Sequence, residues 1–414
     1  MSTIHKTGCV LCAQNCGLEV EVEDNRIVKV KGDKSNVKSE GYVCRKGMNI
    51  AYHQHNADRL KYPLKRVGDK FERISWEQAI DEIAARLKDI VGKYGPKSFA
   101  YMGGGGQGCH FEAAFGVRLM RGLGSRYHYS AVTQEFSGMF WTFGRMFGRQ
   151  PVFPEIDSHE TDYLLVFGWN GMESNQIPQA AKELQRIAKD PEKMLVVIDP
   201  RLSETAKIAN QHLRIRPGTD ALLMRAMIAI ILQEGWENKD YIAQHTSGFD
   251  EIKNLFTNFD VRAAVKTCNL DYDQIREICR QFATRKSCLR YDLGLLMNRH
   301  SAVSSYLANI LLAVCGRIGV RGGNVFHGVL MPLGSHSDER DPKAVRTVTT
   351  NFPPVMGYYP PNAIQEEILS DHPERIRAVY VCGANPLRSY ADTTAYEQAF
   401  KRLDLLVTAE MVMS

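Results

Sequence analysis

Between Gly17 and Lys31, apolar and charged residues interleave: Leu18, Val20 and Val22 on one run, Ile27, Val28 and Val30 on the next, about a polar Asp24-Asn25 pair. A period near two puts one face of each run on a core, and Asp-Asn tolerates the backbone of a tight turn, so the segment predicts a β-hairpin. From Ser75 the period lengthens to that of a helix. Ile80, Ile83, Ala84, Leu87, Ile90 and Val91 share one face, Ser75 with Gln78 reads as a capping box, and Gly95-Pro96 stops the run. Strand and helix patterns then alternate to the end of the chain, which predicts parallel α/β sheets.

Within that alternation one pattern occurs twice. The apolar run Tyr163-Leu164-Leu165-Val166-Phe167 leads into Gly168-Trp169-Asn170-Gly171-Met172-Glu173-Ser174, and Ala378-Val379-Tyr380-Val381-Cys382 leads into Gly383-Ala384-Asn385-Pro386-Leu387-Arg388-Ser389. Each G-x-N-x-x-x-S turn precedes a helical stretch and a second apolar strand ending in an acid, Asp199 in the first copy and Glu410 in the second. A small residue at the C-terminal edge of a parallel strand lets backbone amides approach a phosphate, and an acid at the next strand's tip can hold a ribose or a guanine edge. One copy alone is also what an ordinary strand-to-helix turn would show; two at the same spacing predict two related nucleotide-binding half-units.

Composition narrows the class. The chain has 414 residues, 44% of them apolar, enough for two to four domains with sizeable cores. Its net charge of +5, from 52 basic and 47 acidic residues with no basic run, gives no nucleic-acid or membrane surface. Met1 to Gly8 has neither an apolar leader nor a twin-arginine pair, and the longest apolar helix candidate, Ala221 to Leu232, is broken by Arg225, so no membrane span and a cytoplasmic location are expected. Ten cysteines are too few for a disulfide scaffold. Cys109, Cys268, Cys279, Cys288, Cys315 and Cys382 are scattered among apolar neighbours and read as small buried hydrophobes.

The other four crowd the N-terminus as Cys9-x2-Cys12-x3-Cys16 and then Cys44. Three thiolates in eight residues can wrap three corners of a cubane, with a distant fourth closing it, and soft thiolates suit iron–sulfur clusters. A structural zinc site is the alternative, although zinc sites more often pair two short knuckles. Lys46, two residues past Cys44, is either a solvated charge or a bridge from the cluster to a second redox centre.

These residues together resemble the molybdopterin oxidoreductase superfamily (the dimethyl sulfoxide reductase family), in particular its formate dehydrogenase-like and acetylene hydratase-like members. Besides the cysteines and Lys46-Gly47, the marks are Arg59-Leu60-x-Tyr62-Pro63-Leu64, Ile74-Ser75-Trp76-Glu77, Gly168-x-Asn170 with Glu173-Ser174, Asp199-Pro200-Arg201 with Thr205-Ala206, Arg216-Pro217-Gly218-Thr219-Asp220, and Gly383-Ala384-Asn385-Pro386. The resemblance implies an α/β chain with a small N-terminal β-rich [4Fe–4S] domain (1–59), followed by two interleaved parallel-sheet dinucleotide-binding-like domains (60–130 with 331–414, and 131–330). It also implies two molybdopterin guanine dinucleotides holding molybdenum or tungsten, with Gly168, Asn170, Glu173, Ser174, Asp199, Arg201, Gly218, Asp220, Gly383, Asn385 and Glu410 as cofactor contacts. Cys9, Cys12, Cys16 and Cys44 would hold the cluster, and Lys46 would relay electrons. The expected partners are an electron-transfer subunit and a small-molecule substrate.

The chain departs from the resemblance in three ways. The segment expected to deliver the protein's ligand to the metal, Tyr129 to Gly138, has no cysteine; Glu135 fits best, with Gln134, Ser137 or water as competitors. Near the position of the formate dehydrogenases' catalytic arginine it reads Gly323-Asn324-Val325-Phe326-His327-Gly328, leaving His327 as the candidate catalytic group there, with His110 and His128 as further candidates for proton transfer. Family members also continue some distance further, so the chain is expected to be either a fragment or completed by a separate C-terminal cap subunit.

Overall fold

The computed structural model describes residues 2–103, 110–326, 328 and 334–413, the side chains of His110 and Phe111 excepted. His327 and Cys109, like the side chain of His110, lie outside the described residues. Two compact units emerge, Met1–Gln134 with His336–Ser414, and Glu135–Ser335.

In the first unit the strands Gly17–Glu23 and Arg26–Gly32 form the expected antiparallel hairpin. Asp24 and Asn25 both take positive φ, +47° and +59°, which matches the turn's twist to that of the strands. A strand that the pattern did not reveal, Thr3–Gly8, pairs with Gly17–Glu23 along its other edge. Its residues are mostly exposed and polar, so no alternation marked it. Cys9, Leu18, Val20 and Val30 make the small core beneath.

The helix Trp76–Tyr94 starts and stops where expected, at Ser75 and at Gly95, whose φ is +82°. Ser75 Oγ accepts from Gln78 N–H at 3.1 Å, but the reciprocal half of the capping box is not made: Gln78 Nε2 donates to Glu82 Oε1 at 2.9 Å instead. The buried stripe is the expected one except at its start: Leu87 and Ile90 are buried and Ile83 and Val91 pack against the same core, while Ala79 is covered in place of Ile80, which is 61% exposed.

Each unit holds a four-stranded, all-parallel sheet. In the first the order is Leu405–Ala409, Ala378–Cys382, Phe99–Gly103, Tyr127–Tyr129. In the second it is Gln211–Leu213, Met194–Ile198, Tyr163–Phe167, Ser287–Tyr291. Central strands such as Tyr163–Phe167 are buried throughout, as parallel strands covered on both faces must be. The helix Asp220–Gln233 in the second unit buries most of its length, and Arg225 escapes by capping Leu255 O and lying 4.1 Å from the Phe259 ring centroid. Among the described residues no helix is long and apolar enough to cross a membrane. Cys268, Cys279, Cys288, Cys315 and Cys382 are all buried, as their apolar settings predicted.

The sequence echo is a backbone echo. Tyr163–Phe167 pairs residue for residue with Met194–Ile198, and Ala378–Cys382 with Leu405–Ala409. Gly168 and Gly383 follow at φ +56° and +61°. Their N–H groups donate to the carbonyls of Ile198 (3.1 Å) and Ala409 (3.5 Å), the last residues of the partner strands. Asn170 O then accepts from the N–H groups of Glu173 and Ser174, and Asn385 O from those of Arg388 and Ser389.

Both turns are also tightly approached from the neighbouring strand. A Cβ on Gly294 would fall 2.6 Å from Gly168 O, and one on Gly103, at φ +143°, would fall 2.0 Å from Cys382 O. Gly95 takes positive φ with nothing within 4 Å. Gly95→Ala should therefore cost only the positive-φ backbone, about 1–3 kcal/mol, whereas Gly103→Ala must also push neighbouring strands apart and should cost clearly more. Urea melts of the two variants check this; equal losses would show that the close approach is not a constraint.

Candidate functional site

The thiols of Cys9, Cys12, Cys16 and Cys44 converge. Burial first, and then the neighbouring Cys12 and Cys44, raise the pKa of Cys9, while burial and Cys12, Cys9 and Cys44 push Cys16 up to about 11. Backbone geometry holds the loop: Cys9 N–H donates to Cys16 O at 2.8 Å, and Asn15 Nδ2 donates to Cys9 O at 3.0 Å. Cys44 arrives from the N-cap of the short helix Arg45–Met48, and a Cβ on Gly47 would lie 3.4 Å from Cys9 Sγ. Cys9 and Cys16 thus resist ionisation unless a cation shares the site, and with Cys12 and Cys44 beside them the donor set fits a metal group. Soft thiolates gathered from one short loop and one distant position suit an iron–sulfur cluster, in which each thiolate meets a different iron. Lys46 is exposed and close enough to Cys9 to favour its thiolate.

In the second unit the residues named for a dinucleotide gather at the C-terminal edge of the sheet, though some hold structure rather than face outward. Asn170 Oδ1 accepts from Thr205 N–H (3.0 Å) and Thr205 Oγ1 (2.9 Å), and its Nδ2 donates to Glu204 Oε2 at 2.6 Å. It thus ties the glycine turn to the helix Glu204–Ile208. The pKa of Glu204 is lowered to about 2 by its own backbone N–H and by Asn170. Asp199 Oδ1 accepts from Arg201 N–H at 2.8 Å, and Arg201 pairs with Glu204 at 3.2 Å. Burial, with Asp199 nearby, raises the pKa of Asp220. Glu173, Ser174 and Gly218 are exposed.

In the first unit Gly383 is exposed, and the side chain of Asn385 makes no hydrogen bond among the described residues, unlike Asn170. Glu410 Oε1 is buried without a partner among the described residues, and burial raises the carboxyl's pKa. An orphaned acceptor at this edge fits a ligand that brings N–H donors, as a guanine does.

Glu135 ends the short helix Val132–Glu135 and is half-buried. Burial first, and Asp292 second, raise its pKa. Among the described residues no cation pairs with Glu135: Arg145 lies 5.2 Å from the Trp141 ring centroid, and Arg149 is exposed. Gln134 Oε1 is buried and unpartnered among the described residues.

Sequence reasoning misses Asp292, Gly294 and the Arg290–Glu155 pair (2.5 Å). The signal that could have found them is a third strand running into a glycine, Ser287–Tyr291 into Asp292-Leu293-Gly294.

His128 is buried. Its Nε2 lies 3.1 Å from Gly103 O, and its ring packs between Tyr101 and Tyr358 at 4.8 and 4.6 Å. Burial pushes its pKa down to about 4. It is therefore a neutral packing residue around neutral pH.

The family model described as Molybdopterin oxidoreductase matches residues 59–414, and that of the molybdopterin oxidoreductase Fe4S4 domain matches residues 2–56. The chain belongs to the molybdopterin oxidoreductase family. As a member it carries a [4Fe–4S] cluster and a molybdopterin with molybdenum or tungsten. It is 26% identical to the probable oxidoreductase YyaE of Bacillus subtilis, over 100% of this chain and 61% of that protein. It is 27% identical to the F420-dependent formate dehydrogenase subunit alpha of Methanocaldococcus jannaschii, over 99% of this chain and 62% of that one. The solved structure of acetylene hydratase from Pelobacter acetylenicus is similar with a TM-score of 0.82 at 25% identity, over 99% of this chain and 61% of that chain. The chain thus spans about three fifths of the length of these relatives.

Cys44→Ser should weaken the cluster's visible absorption or convert it to a three-iron form, because a cubane needs all four corners held; an unchanged spectrum with full iron content would remove Cys44 from the ligand set. His128 sets a pH dependence. Its imidazole titrates near 6.5 when unfolded and near 4 when folded, so between these values the unfolded chain binds the extra proton. Stability present above pH 6.5 is therefore lost as pH falls toward 4, by up to about 3 kcal/mol. In denaturant melts across that window, His128→Gln should flatten the dependence; an unaltered slope would place its cause elsewhere.

Proposed function

We propose that the chain is the cluster-bearing and pterin-bearing part of a molybdenum or tungsten bis-pterin oxidoreductase that exchanges two electrons with a small-molecule substrate and passes them singly through the cluster to a partner subunit. The observation that carries this reading is the pairing of one four-thiol loop with two glycine turns of the same backbone geometry. The likeness to a formate dehydrogenase subunit alpha supports a partner subunit.

When bound, the pterin dithiolenes and their metal supply the two-electron chemistry, and the protein contributes position and charge. Gly168 and Gly383 leave the strand edges free of side chains, so that backbone amides can approach pyrophosphate. Asp199 and Glu410 would accept from the N–H groups of the two guanines, with Asp220, Arg201, Gly218, Glu173, Ser174 and Asn385 lining these edges and Asn170 bracing the first. Cys9, Cys12, Cys16 and Cys44 hold the cluster, and Lys46 offsets its negative charge on the side of Cys9. Glu135 provides the hard oxygen donor for the metal, or stands next to the group that does. His327 is the proposed proton donor or acceptor for substrate.

The likeness to acetylene hydratase favours a second reading, hydration without net electron transfer, in which the metal acts as a Lewis acid on water. A dye-linked assay on protein whose metal and pterin content have been measured separates the two, because only the oxidoreductase delivers substrate electrons to the dye. Glu135→Ala should change the electron paramagnetic resonance of the metal and leave the iron–sulfur signal as it was. Survival of both the metal signal and turnover would reduce Glu135 to a structural residue of its helix.

A further inference from the structure

The turn Asp33–Gly41 is built onto the cysteine loop. Gly17 N–H, directly after Cys16, donates to Ser39 Oγ at 3.0 Å, and Asp33 N–H donates to Gly17 O at 2.9 Å. The turn is locked from within. Asn36 Oδ1 accepts from Lys38 N–H (3.1 Å), Ser39 N–H (2.9 Å) and Ser39 Oγ (3.0 Å), and Gly41 N–H closes onto Asp33 O at 3.0 Å. Asp33 is buried and bound by Ser35 and Lys6.

So rigid a turn nevertheless holds an aliphatic residue at its tip: Val37 is 94% exposed. Lys34 and Lys38 flank it and make no ion pair among the described residues, and Lys38 lies close enough to Cys16 to act on its charge. On the cysteine loop itself Val10, between Cys9 and Cys12, is 52% exposed, and the exposed Arg45 adjoins Cys44, also with no ion pair among the described residues. Of the nearby acids, Asp33 is covered, Glu19 is engaged by Lys31 at 2.9 Å, and Glu40, exposed at the end of the turn, has an interaction of its own. Exposed apolar tips with a mainly cationic rim suit a brief, electrostatically steered encounter better than a permanent interface.

We propose that Val37 and Val10, rimmed by Lys34, Lys38 and Arg45, form the docking face for a small acidic iron–sulfur carrier protein that exchanges single electrons with the cluster. The proposal rests on the reading of Cys9, Cys12, Cys16 and Cys44 as cluster ligands. The step is an outer-sphere transfer: one electron leaves the reduced cluster and reduces the oxidised carrier, and no bond forms or breaks. The partner is acidic because the turn offers it two lysines without ion pairs among the described residues and keeps Asp33 covered.

The test uses the full chain with its cluster in place, photoreduced and mixed in stopped flow with an acidic plant-type [2Fe–2S] ferredoxin as probe. The second-order rate should fall steeply with added salt, and the double variant Val37→Glu, Lys34→Glu should lower it roughly tenfold or more at low salt. Oxidation by a small neutral quinone, which needs no docking face, should be unchanged in that variant. A chain that binds no iron would overturn the cluster reading and the docking face together. A chain with a reducible cluster whose oxidation by ferredoxin ignores both salt and the substitutions would overturn the docking face alone.

Discussion

A glycine held in left-handed backbone at the end of a parallel strand is the constraint on which both sheets depend. At Gly168 and Gly383 the chain must turn off the strand while its N–H still reaches the last carbonyl of the neighbouring strand. At Gly294 and Gly103 a second backbone passes so close that a single methyl group would strike a peptide on the adjoining strand. Glycine alone meets both demands without strain. The result is a strand edge made of peptide groups rather than side chains. Such an edge presents N–H groups to an anion and lets the following helix begin beside it, the arrangement that a dinucleotide's pyrophosphate requires.

What could be read from the sequence was what lies close together along it. The hairpin about Asp24-Asn25, the helix bounded by Ser75 and Gly95, and the repeated strand, glycine turn and trailing acid each occupy a contiguous stretch whose period or punctuation declares it. What stayed hidden depends on partners far apart in the chain. Thr3–Gly8 is a strand only because Gly17–Glu23 offers it an edge. Ile80 shares the periodic stripe of its helix yet faces outward, since periodicity fixes a face only to within about one residue and packing decides the rest. Asn170 carried the outward signature of a ligand contact, whereas its amide is spent on Thr205 and Glu204, thirty-odd residues on. Gly103 was not marked because its reason, the carbonyl of Cys382, lies on the other side of the interleaved chain.

The two charged centres solve opposite problems. Around the thiols the protein supplies positive charge: Lys46 acts on Cys9 and Lys38 on Cys16, while burial and mutual repulsion push the thiols toward the neutral form. Thiolates and the iron of a cluster held there would stabilise each other, and the lysines would temper the net negative charge that remains. Charge on the thiols and charge on the surrounding turn therefore form one electrostatic system, to which a surface lysine such as Lys38 belongs.

Around Glu135 the protein supplies negative charge instead. Arg290, the buried cation of this region, is committed to Glu155 at 2.5 Å, and what remains of its field reaches Asp292, where it opposes the effect of burial. Glu135 is left with Asp292 as its charged neighbour and no cation of its own among the described residues. A half-buried carboxylate in that position either holds a proton or meets a positive charge that none of the described residues provides. A hard, high-valent metal ion is such a charge. The electrostatic imbalance that raises the pKa of Glu135 is thus one that a positive charge at this point would relieve.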